Sequence, residues 1–363
     1  MSASRRPPTP ALETIAGRFD LDAQVVGIRP LGRGLINDTF AVSTAARGYV
    51  LQRINSHVFP RPEQIMANLL VLTELLKQDE TDVRIPRIIL TQDGAALTRD
   101  DSGEVWRMME LIPNTKTLTR LESAGEAREV GHVLGTFHRT AAKLPLERFG
   151  RSLPELHETG TYLERLHQVV VTQAGRRSSA VEALVEQITR RAHRVGALEA
   201  AKRDGRTKTR ITHGDPKLDN ILFAQDGSKA VALIDLDTVQ PGLVQHDLGD
   251  CLRSCCNRRG EAGAAPDATR FDLASCEAIL SGYATEMRGL LSHAEIETLF
   301  EAIALIPLEL GIRFLTDYLE GNRYFRVEFP EQNLIKAQIQ LALVADIERK
   351  ESRLRQMIAR VFD

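Results

Sequence analysis

Asp215, Lys217 and Asn220 lie together in the string His213-Gly-Asp-Pro-Lys-Leu-Asp-Asn220, and Asp235 follows 20 positions after Asp215. Phosphoryl transfer asks for this set: a carboxylate at the acceptor hydroxyl, a cation on the transferring phosphate, and oxygen ligands for Mg²⁺. Magnesium takes one or two carboxylates together with phosphate oxygens and water, so an amide and a carboxylate from two loops suffice. The spacing Asp-x-Lys-x-x-Asn supplies base, cation and ligand from one turn of chain. An isolated Asp–Asn pair is ordinary turn chemistry, since both residues bond their own backbone. With Lys217 and Asp235 beside it, the string is expected to be catalytic.

These residues need elements to hold them, and the pattern divides the chain near residue 111. Val25 to Pro30 reads as a strand entering a glycine turn, Gly32-Arg33-Gly34, with further strands over 35–43 and Tyr49 to Ile54. Apolar residues Ile65, Leu69, Leu72 and Leu76 recur at helical spacing from Pro62 to about Lys77. Ile85 to Thr91 and Ala95 to Thr98 read as a hairpin around Asp93-Gly94, and Val105 to Ile112 as an apolar strand with the only Trp. Beyond residue 120 the period is helical over Arg128 to Lys143, Val181 to Lys202 and most of the chain after Phe271. Short β-like runs, Arg210 to Thr212 and Ala230 to Ile234, flank the catalytic string. The expected class is α+β: a tail over 1–10, a small β-rich lobe over 11–111 and a larger, mainly helical lobe over 112–363.

Composition narrows the function. The 363 residues are 43% hydrophobic and 26% charged, as in a globular enzyme of about two compact units. Lys+Arg is 47 against Asp+Glu 49, so no basic excess recommends nucleic acid or an anionic membrane. The run from Arg190 to Lys208 is expected to be a solvated helix face and loop. No stretch is long and apolar enough to span a bilayer, the best, Leu299 to Ile312, being broken by Glu301 and Glu309. MSASRRPPTP has no apolar core and reads as a disordered tail, not a signal peptide. Cys251, Cys255, Cys256 and Cys276 complete no zinc spacing and are expected as buried thiols in a reducing cytoplasm. His132 and His138 stand six apart on one helix, which is not a same-face metal pair. No sustained heptad seam is present, and a monomer is the expectation.

The string His213-Gly-Asp-x-x-x-x-Asn220 followed by Ile234-Asp235 resembles the catalytic and metal loops of the aminoglycoside phosphotransferase and choline kinase superfamily, which shares the protein-kinase-like bilobal fold. Gly34-Leu-Ile-Asn-Asp-Thr-Phe40, Leu51-Gln-Arg-Ile-Asn55, Asp235-Leu-Asp-Thr-Val-Gln-Pro-Gly242, Asp247-Leu-Gly-Asp250 and Arg313-Phe-Leu-Thr-Asp-Tyr-Leu319 look like its N-acetylhexosamine 1-kinase branch. The shared order of motifs runs from about residue 31 to 348.

The resemblance implies a role for each matching position. Asp215 would be the general base, Lys217 would meet the γ-phosphate, and Asn220 and Asp235 would hold Mg²⁺. Gly32 and Gly34 would belong to a nucleotide-covering loop, and Asn37-Asp38 either touches the ligand or caps the loop. Arg53 would replace the phosphate-binding lysine of protein kinases, with Glu63 or Glu74 as its carboxylate partner. Glu110, Leu111 and Ile112 would form the hinge at adenine. Asp247 would brace the catalytic loop, with His213 packed inward, and Asp237 either adds a metal ligand or bonds its neighbours. Arg313 and Tyr324 match sugar-contacting positions; otherwise Arg313 bridges to Asp317 and Tyr324 packs in the core.

The reaction so implied joins ATP to a free sugar, an N-acetylhexosamine or related hexose, at its anomeric hydroxyl, the most acidic on a reducing sugar. An amino alcohol or an aminoglycoside is the competing acceptor, although Arg313, Arg323 and Arg326 suit a neutral or anionic one better. A non-catalytic nucleotide-binding module is a third class, and the presence of Asp215, Asn220 and Asp235 speaks against it.

Overall fold

The computed structural model describes residues 9–32, 36–76, 83–172, 178–260 and 265–363. The expected tail over 1–10 and the glycine turn's Gly34 therefore lie wholly or partly outside the described residues; helix α1 (Thr9–Ala16) already begins inside the tail's expected span.

Strands β1 (Val25–Pro30), β2 (Asp38–Thr44), β3 (Gly48–Ile54), β4 (Ile88–Ile89), β5 (Thr98–Arg99) and β6 (Val105–Glu110) form one antiparallel sheet. Its path is β1-β2-β3-β6-β4, with β5 also on β6. β2 and β3 alternate buried and less buried positions, which puts Phe40, Val42, Tyr49, Leu51, Trp106 and Met108 into one cluster with α1. The expected hairpin around Asp93-Gly94 is corrected here: β4 and β5 do not pair with each other but follow one another along β6. The turn between them is closed locally, Thr91 exchanging backbone and hydroxyl bonds with Ala95, so no ladder propagates from it. Helix α2 (Pro62–Leu76) completes this part.

The rest is mainly helical: α3 (Ala124–Ala141), α4 (Thr159–Thr172), α5 (Ser179–Thr189), α6 (Ala192–Val195) and α7 (Ala197–Arg203) precede the catalytic string. After it come α8 (Val244–Cys255), α9 (Leu273–Met287), α10 (His293–Glu297), α11 (Leu299–Glu320), α12 (Gln332–Arg349) and α13 (Glu351–Phe362). α3 and α9 pack backbone to backbone, because a Cβ at Gly131 or Gly282 would lie 1.9–2.0 Å from a carbonyl of the other helix. Only glycine permits that approach. Between the helices run short strands: β7 (Thr115–Thr117), β9 (Ile221–Ala224) and β10 (Ala230–Leu233) form one sheet, β8 (Arg210–Thr212) and β11 (Gln240–Gly242) another.

The run from Arg190 to Lys208 is solvated in part: Arg190, Arg203, Asp204, Arg206 and Lys208 are exposed, as expected, but two of its arginines turn inward. Arg191 and Arg194 are mostly buried and pair with Glu348 and Glu301 on the C-terminal helices. The four cysteines are free and buried, as expected. Among the described residues, no helix is long and apolar enough to cross a membrane.

Candidate active site

The catalytic string leaves β8, turns through a short 3₁₀ segment at Leu218–Asn220 and enters β9; the β9–β10 hairpin then delivers Asp235 beside it. Three bonds lock the two loops together: Ile234 N–H donates to the Asn220 carbonyl at 3.0 Å, the His213 ring bonds the Ile234 carbonyl at 3.1 Å, and the Thr238 hydroxyl donates to the His213 carbonyl at 2.7 Å. Gly214 has φ +87°, and a Cβ there would lie 2.7 Å from Thr238 Cβ, so both backbone conformation and space require glycine.

Asp247, fully buried at the start of α8, braces the string as the resemblance implies. Its carboxylate accepts the His213 and Gly214 amides at 2.6 and 2.8 Å and the His138 Nε2–H at 2.8 Å. His138 in turn bonds the Tyr283 hydroxyl at 2.9 Å, so the α3–α9 platform carries the brace. Burial pushes the Asp247 carboxyl up, but these donors outweigh it and hold it below the usual range. His213 is structural: burial lowers its pKa, and the neutral ring spans Ile234 O and the Asp215 amide.

Asp215 is ion-paired with Lys217, and Asn220 Nδ2 donates to its carbonyl at 2.7 Å and its carboxylate at 3.1 Å. Burial opposes its charge, yet Lys217, with His213 and Arg253, holds the carboxyl below the usual range. Lys217 is also opposed by burial, but Asp215 and Asp235 outweigh it and push the ammonium up. The result is an ionised carboxylate with a cation at its side.

Asp235 is its opposite. It sits in the left-handed region at φ 61°, ψ 54°, is exposed, and makes no hydrogen bond or ion pair among the described residues. The protein crowded around its carboxyl, then the charges of Asp237 and Asp215, push it up to about 6. Asn220 spends its amide N–H on Asp215, which leaves its Oδ1 for another partner. An unpartnered carboxylate raised by its neighbours next to an uncommitted amide oxygen fits a divalent cation that shares its remaining ligands with phosphate and water. Among the described residues no group of three or more His, Cys, Asp or Glu side chains could hold a metal ion unaided.

Several expected ligands are engaged elsewhere. Asn37 is committed at both ends: Nδ2 donates to Asp237 Oδ2 at 2.8 Å, and Oδ1 accepts the Asn55 amide at 3.0 Å. Asp237 also pairs with Arg107, so it bonds its neighbours. Arg53 is mostly buried, and its partner is neither Glu63 nor Glu74, which pair with Arg99 and Arg148. It is Asp38, directly opposite Arg53 in the β2–β3 register and also in contact with Arg326. At the hinge, Glu110 N–H donates to Arg87 O and Leu111 N–H to Gly48 O, so these two amides belong to the sheet. The Ile112 carbonyl accepts the Thr115 hydroxyl at 2.9 Å. Gly32 makes an open turn at φ +68°.

Arg313 and Tyr324 do meet: Arg313 Nη2 donates to the Tyr324 hydroxyl at 3.2 Å, and the guanidinium lies over Tyr162, Tyr324 and Phe325 at 5.0–5.6 Å. The Arg313–Asp317 bridge is absent, because Asp317 accepts the backbone amides of Arg323, Tyr324 and Phe325 and so folds the turn that presents Tyr324. Burial opposes the Arg313 charge, but Tyr162, Tyr324, Glu309 and Asp215 outweigh it and push its pKa up. Arg107 and Tyr162 were not singled out in the sequence, and Asp38 was read with Asn37 as a loop cap or ligand contact, not as the partner of Arg53. An arginine between Trp106 and Met108 in an apolar strand was the available signal for the first.

The fold is the kinase-like α+β one, and the meeting of Asp215, Lys217, Asn220 and Asp235 suits phosphoryl transfer. A family model, the phosphotransferase enzyme family, matches residues 27–283, and the chain belongs to that family. Among solved structures the chain is similar to an aminoglycoside phosphotransferase from Alicyclobacillus acidocaldarius subsp. acidocaldarius DSM 446, at 16% identity and TM-score 0.65 over 99% of this chain and 98% of that one. A microcompartment-associated aminopropanol kinase matches at 15% identity and TM-score 0.65, over 95% and 98% of the two chains. Spectinomycin phosphotransferase APH(9)-Ia, in complex with ADP and spectinomycin, matches at 11% identity and TM-score 0.59, over 96% and 100%.

Proposed function

We propose that the protein is an ATP- and Mg²⁺-dependent small-molecule kinase whose acceptor is a free sugar, phosphorylated at the anomeric hydroxyl of an N-acetylhexosamine or related hexose. The carrying observation is Asp215, paired with Lys217 and bonded by Asn220 in the loop that also meets Asp235, with the Arg313–Tyr324 pair on the helical part. In this reading residues 11–111 bind the nucleotide and 112–363 supply catalysis and the acceptor site.

Asp215 takes the proton of the acceptor hydroxyl as its oxygen bonds to the γ-phosphorus and the bond to the departing ADP breaks. Lys217 neutralises charge on the transferring group from a position fixed by the loop, at no cost of reorganisation. Asn220 and Asp235 would hold Mg²⁺, which when bound neutralises charge on the phosphate oxygens. Arg53, on the sheet, serves the nucleotide phosphates. Arg313 donates to ring hydroxyls or an acyl carbonyl, and Tyr324 offers a hydroxyl beside an apolar ring.

An amino alcohol acceptor is the second reading, favoured by the similarity to the aminopropanol kinase. Against it stands the guanidinium of Arg313, which repels an ammonium group. A coupled ADP-release screen over free sugars and amino alcohols decides between them, with the product phosphate located by ³¹P NMR. A sugar 1-phosphate supports the proposal; turnover confined to amino alcohols replaces it with the second reading; no turnover with any acceptor removes both.

A further inference from the structure

Arg107 is among the most deeply buried charged side chains of the protein, 1% exposed in the middle of β6, and no step assigned above uses it. We propose that it is the positioning residue of the metal loop: from the N-terminal sheet it fixes Asp237, and through Asp237 the neighbouring Asp235 carboxylate, so that Asp237 is a brace and not a ligand. The inference rests on the assignment of Asp235 to Mg²⁺ and deepens it.

The guanidinium is aimed by its own sheet. Gln52, opposite Arg107 in the β3–β6 register, accepts from Nε at 3.0 Å and from Nη2 at 2.7 Å, while Gln52 Nε2 is anchored on the Thr39 hydroxyl at 3.0 Å. Nη2 reaches the Asp237 carboxylate, itself only 2% exposed. Asn37 closes on the other carboxylate oxygen, and the Ser152 hydroxyl holds the Asp237 carbonyl at 3.0 Å. Leu236 on one side is buried, and Thr238 on the other bonds the His213 carbonyl. Every residue of the 236–238 turn is therefore pinned, whereas Asp235 is exposed, unpartnered among the described residues and held in a left-handed conformation at the entrance to that turn.

Stability alone does not explain such a pair. Burying two charges costs about as much as their attraction returns, and well-packed apolar residues of similar volume often serve the fold as well or better. Arg107 Nη1 has no hydrogen-bond partner among the described residues, a further cost that an apolar side chain in the strand would avoid. What an apolar pair would not supply is a fixed tether between the nucleotide-side sheet and the turn that carries Asp235. Asp237 faces inward: Oδ2 accepts from Asn37, and Oδ1, which has no hydrogen-bond donor among the described residues, lies in ion contact with the Arg107 guanidinium, so its charge is matched inside the protein before any cation arrives.

The test reads metal affinity without turnover. The stabilisation of the intact protein by ADP is followed by thermal unfolding across a Mg²⁺ series, for wild type, Arg107→Lys, Arg107→Met, Asp237→Asn and the paired Arg107→Met/Asp237→Leu. The paired variant removes both charges at once and keeps the test open should Arg107→Met alone fail to fold. We expect the half-maximal Mg²⁺ concentration to rise about 10- to 100-fold in Arg107→Met and in the paired variant, the usual effect of losing an outer-shell partner, with partial rescue in Arg107→Lys. A folded paired variant with the wild-type midpoint overturns the proposal and makes the pair merely structural. A midpoint raised by Asp237→Asn but not by Arg107→Met overturns it in favour of Asp237 as a ligand. A wild-type protein that ADP and Mg²⁺ do not stabilise overturns both this inference and the function it rests on.

Discussion

The catalytic-string loop and the Asp235 loop are bonded side by side yet are held from opposite sides. The first is braced by the helical part, through Asp247, His138 and Tyr283. The second is tethered to the N-terminal sheet, through Asn37 and Arg107. Their aspartates differ to match. Asp215 has a cation at its side and a carboxyl below the usual range, while Asp235 has no partner among the described residues and a carboxyl raised to about 6. Two like groups given opposite environments suit the opposite roles proposed for them: one is held ionised beside a cation, the other keeps its lone pairs uncommitted.

The sharpest way to break this contrast is at the base. Asp215→Asn is expected to lower turnover by at least ~100-fold, the usual scale for a general base, in a protein that still unfolds cooperatively. Steady-state ADP release measures it, and near-wild-type turnover would remove Asp215 from the role.

The brace comes next. Asp247→Ala strands the His213 and Gly214 amides and the His138 ring in the interior, and it should cost about 3 kcal/mol, as breaking a buried charged cluster does. Urea unfolding reports the loss. A change confined to activity, with stability intact, would show that the loop stands without Asp247.

A third prediction concerns the wall behind Arg313. Glu309 accepts from the Thr159 hydroxyl at 2.6 Å and pairs with His157 at 3.1 Å. Burial opposes its charge, but His157 outweighs it, with Arg313 adding, and holds the carboxyl at about 2 against its usual 4.5. Its stabilisation is fully present above about 4.5 and is lost as pH falls toward 2. His157 is pushed up from 6.5, burial being outweighed by Glu309, so its share is present below 6.5 and is lost as pH rises through the raised value. Stability against pH should thus decline on both limbs, and Glu309→Gln should flatten both. A variant whose limbs match wild type would deny the pair any part in the pH response.

The smallest effect belongs to the acceptor corner. Arg313→Ala should raise the KM for the acceptor roughly tenfold, the scale of one charge-assisted hydrogen bond, with little change in the KM for ATP. Unchanged constants for both substrates would mean that the acceptor binds elsewhere.

Where chemistry lies in one contiguous string, the sequence was readable. His213 to Asn220 and Asp235 need only one hairpin to come together, and the long strands of the N-terminal sheet declare themselves by alternation. β7, β9 and β11 are three or four residues long, too short for any period to register. The roles that escaped are those made by pairing across the molecule. Arg53 finds Asp38 through strand register, which puts them directly opposite, and a cross-strand reading of β2 and β3 would have favoured it over a helix glutamate. Arg107 and Asp237 are 130 positions apart, and nothing local to either announces the other. Arg191 and Arg194 look solvated in one dimension because their glutamates lie on α11 and α12.

The division of labour between the two loops is tested most directly by calorimetric titration of ADP, with Mg²⁺ present, into wild type, Asp215→Asn and Asp235→Asn. Asp215→Asn should bind as wild type does, because the base faces the acceptor, whereas Asp235→Asn should lose the Mg²⁺-dependent part of the affinity. Loss of nucleotide affinity in Asp215→Asn with wild-type, Mg²⁺-dependent binding in Asp235→Asn would contradict that division.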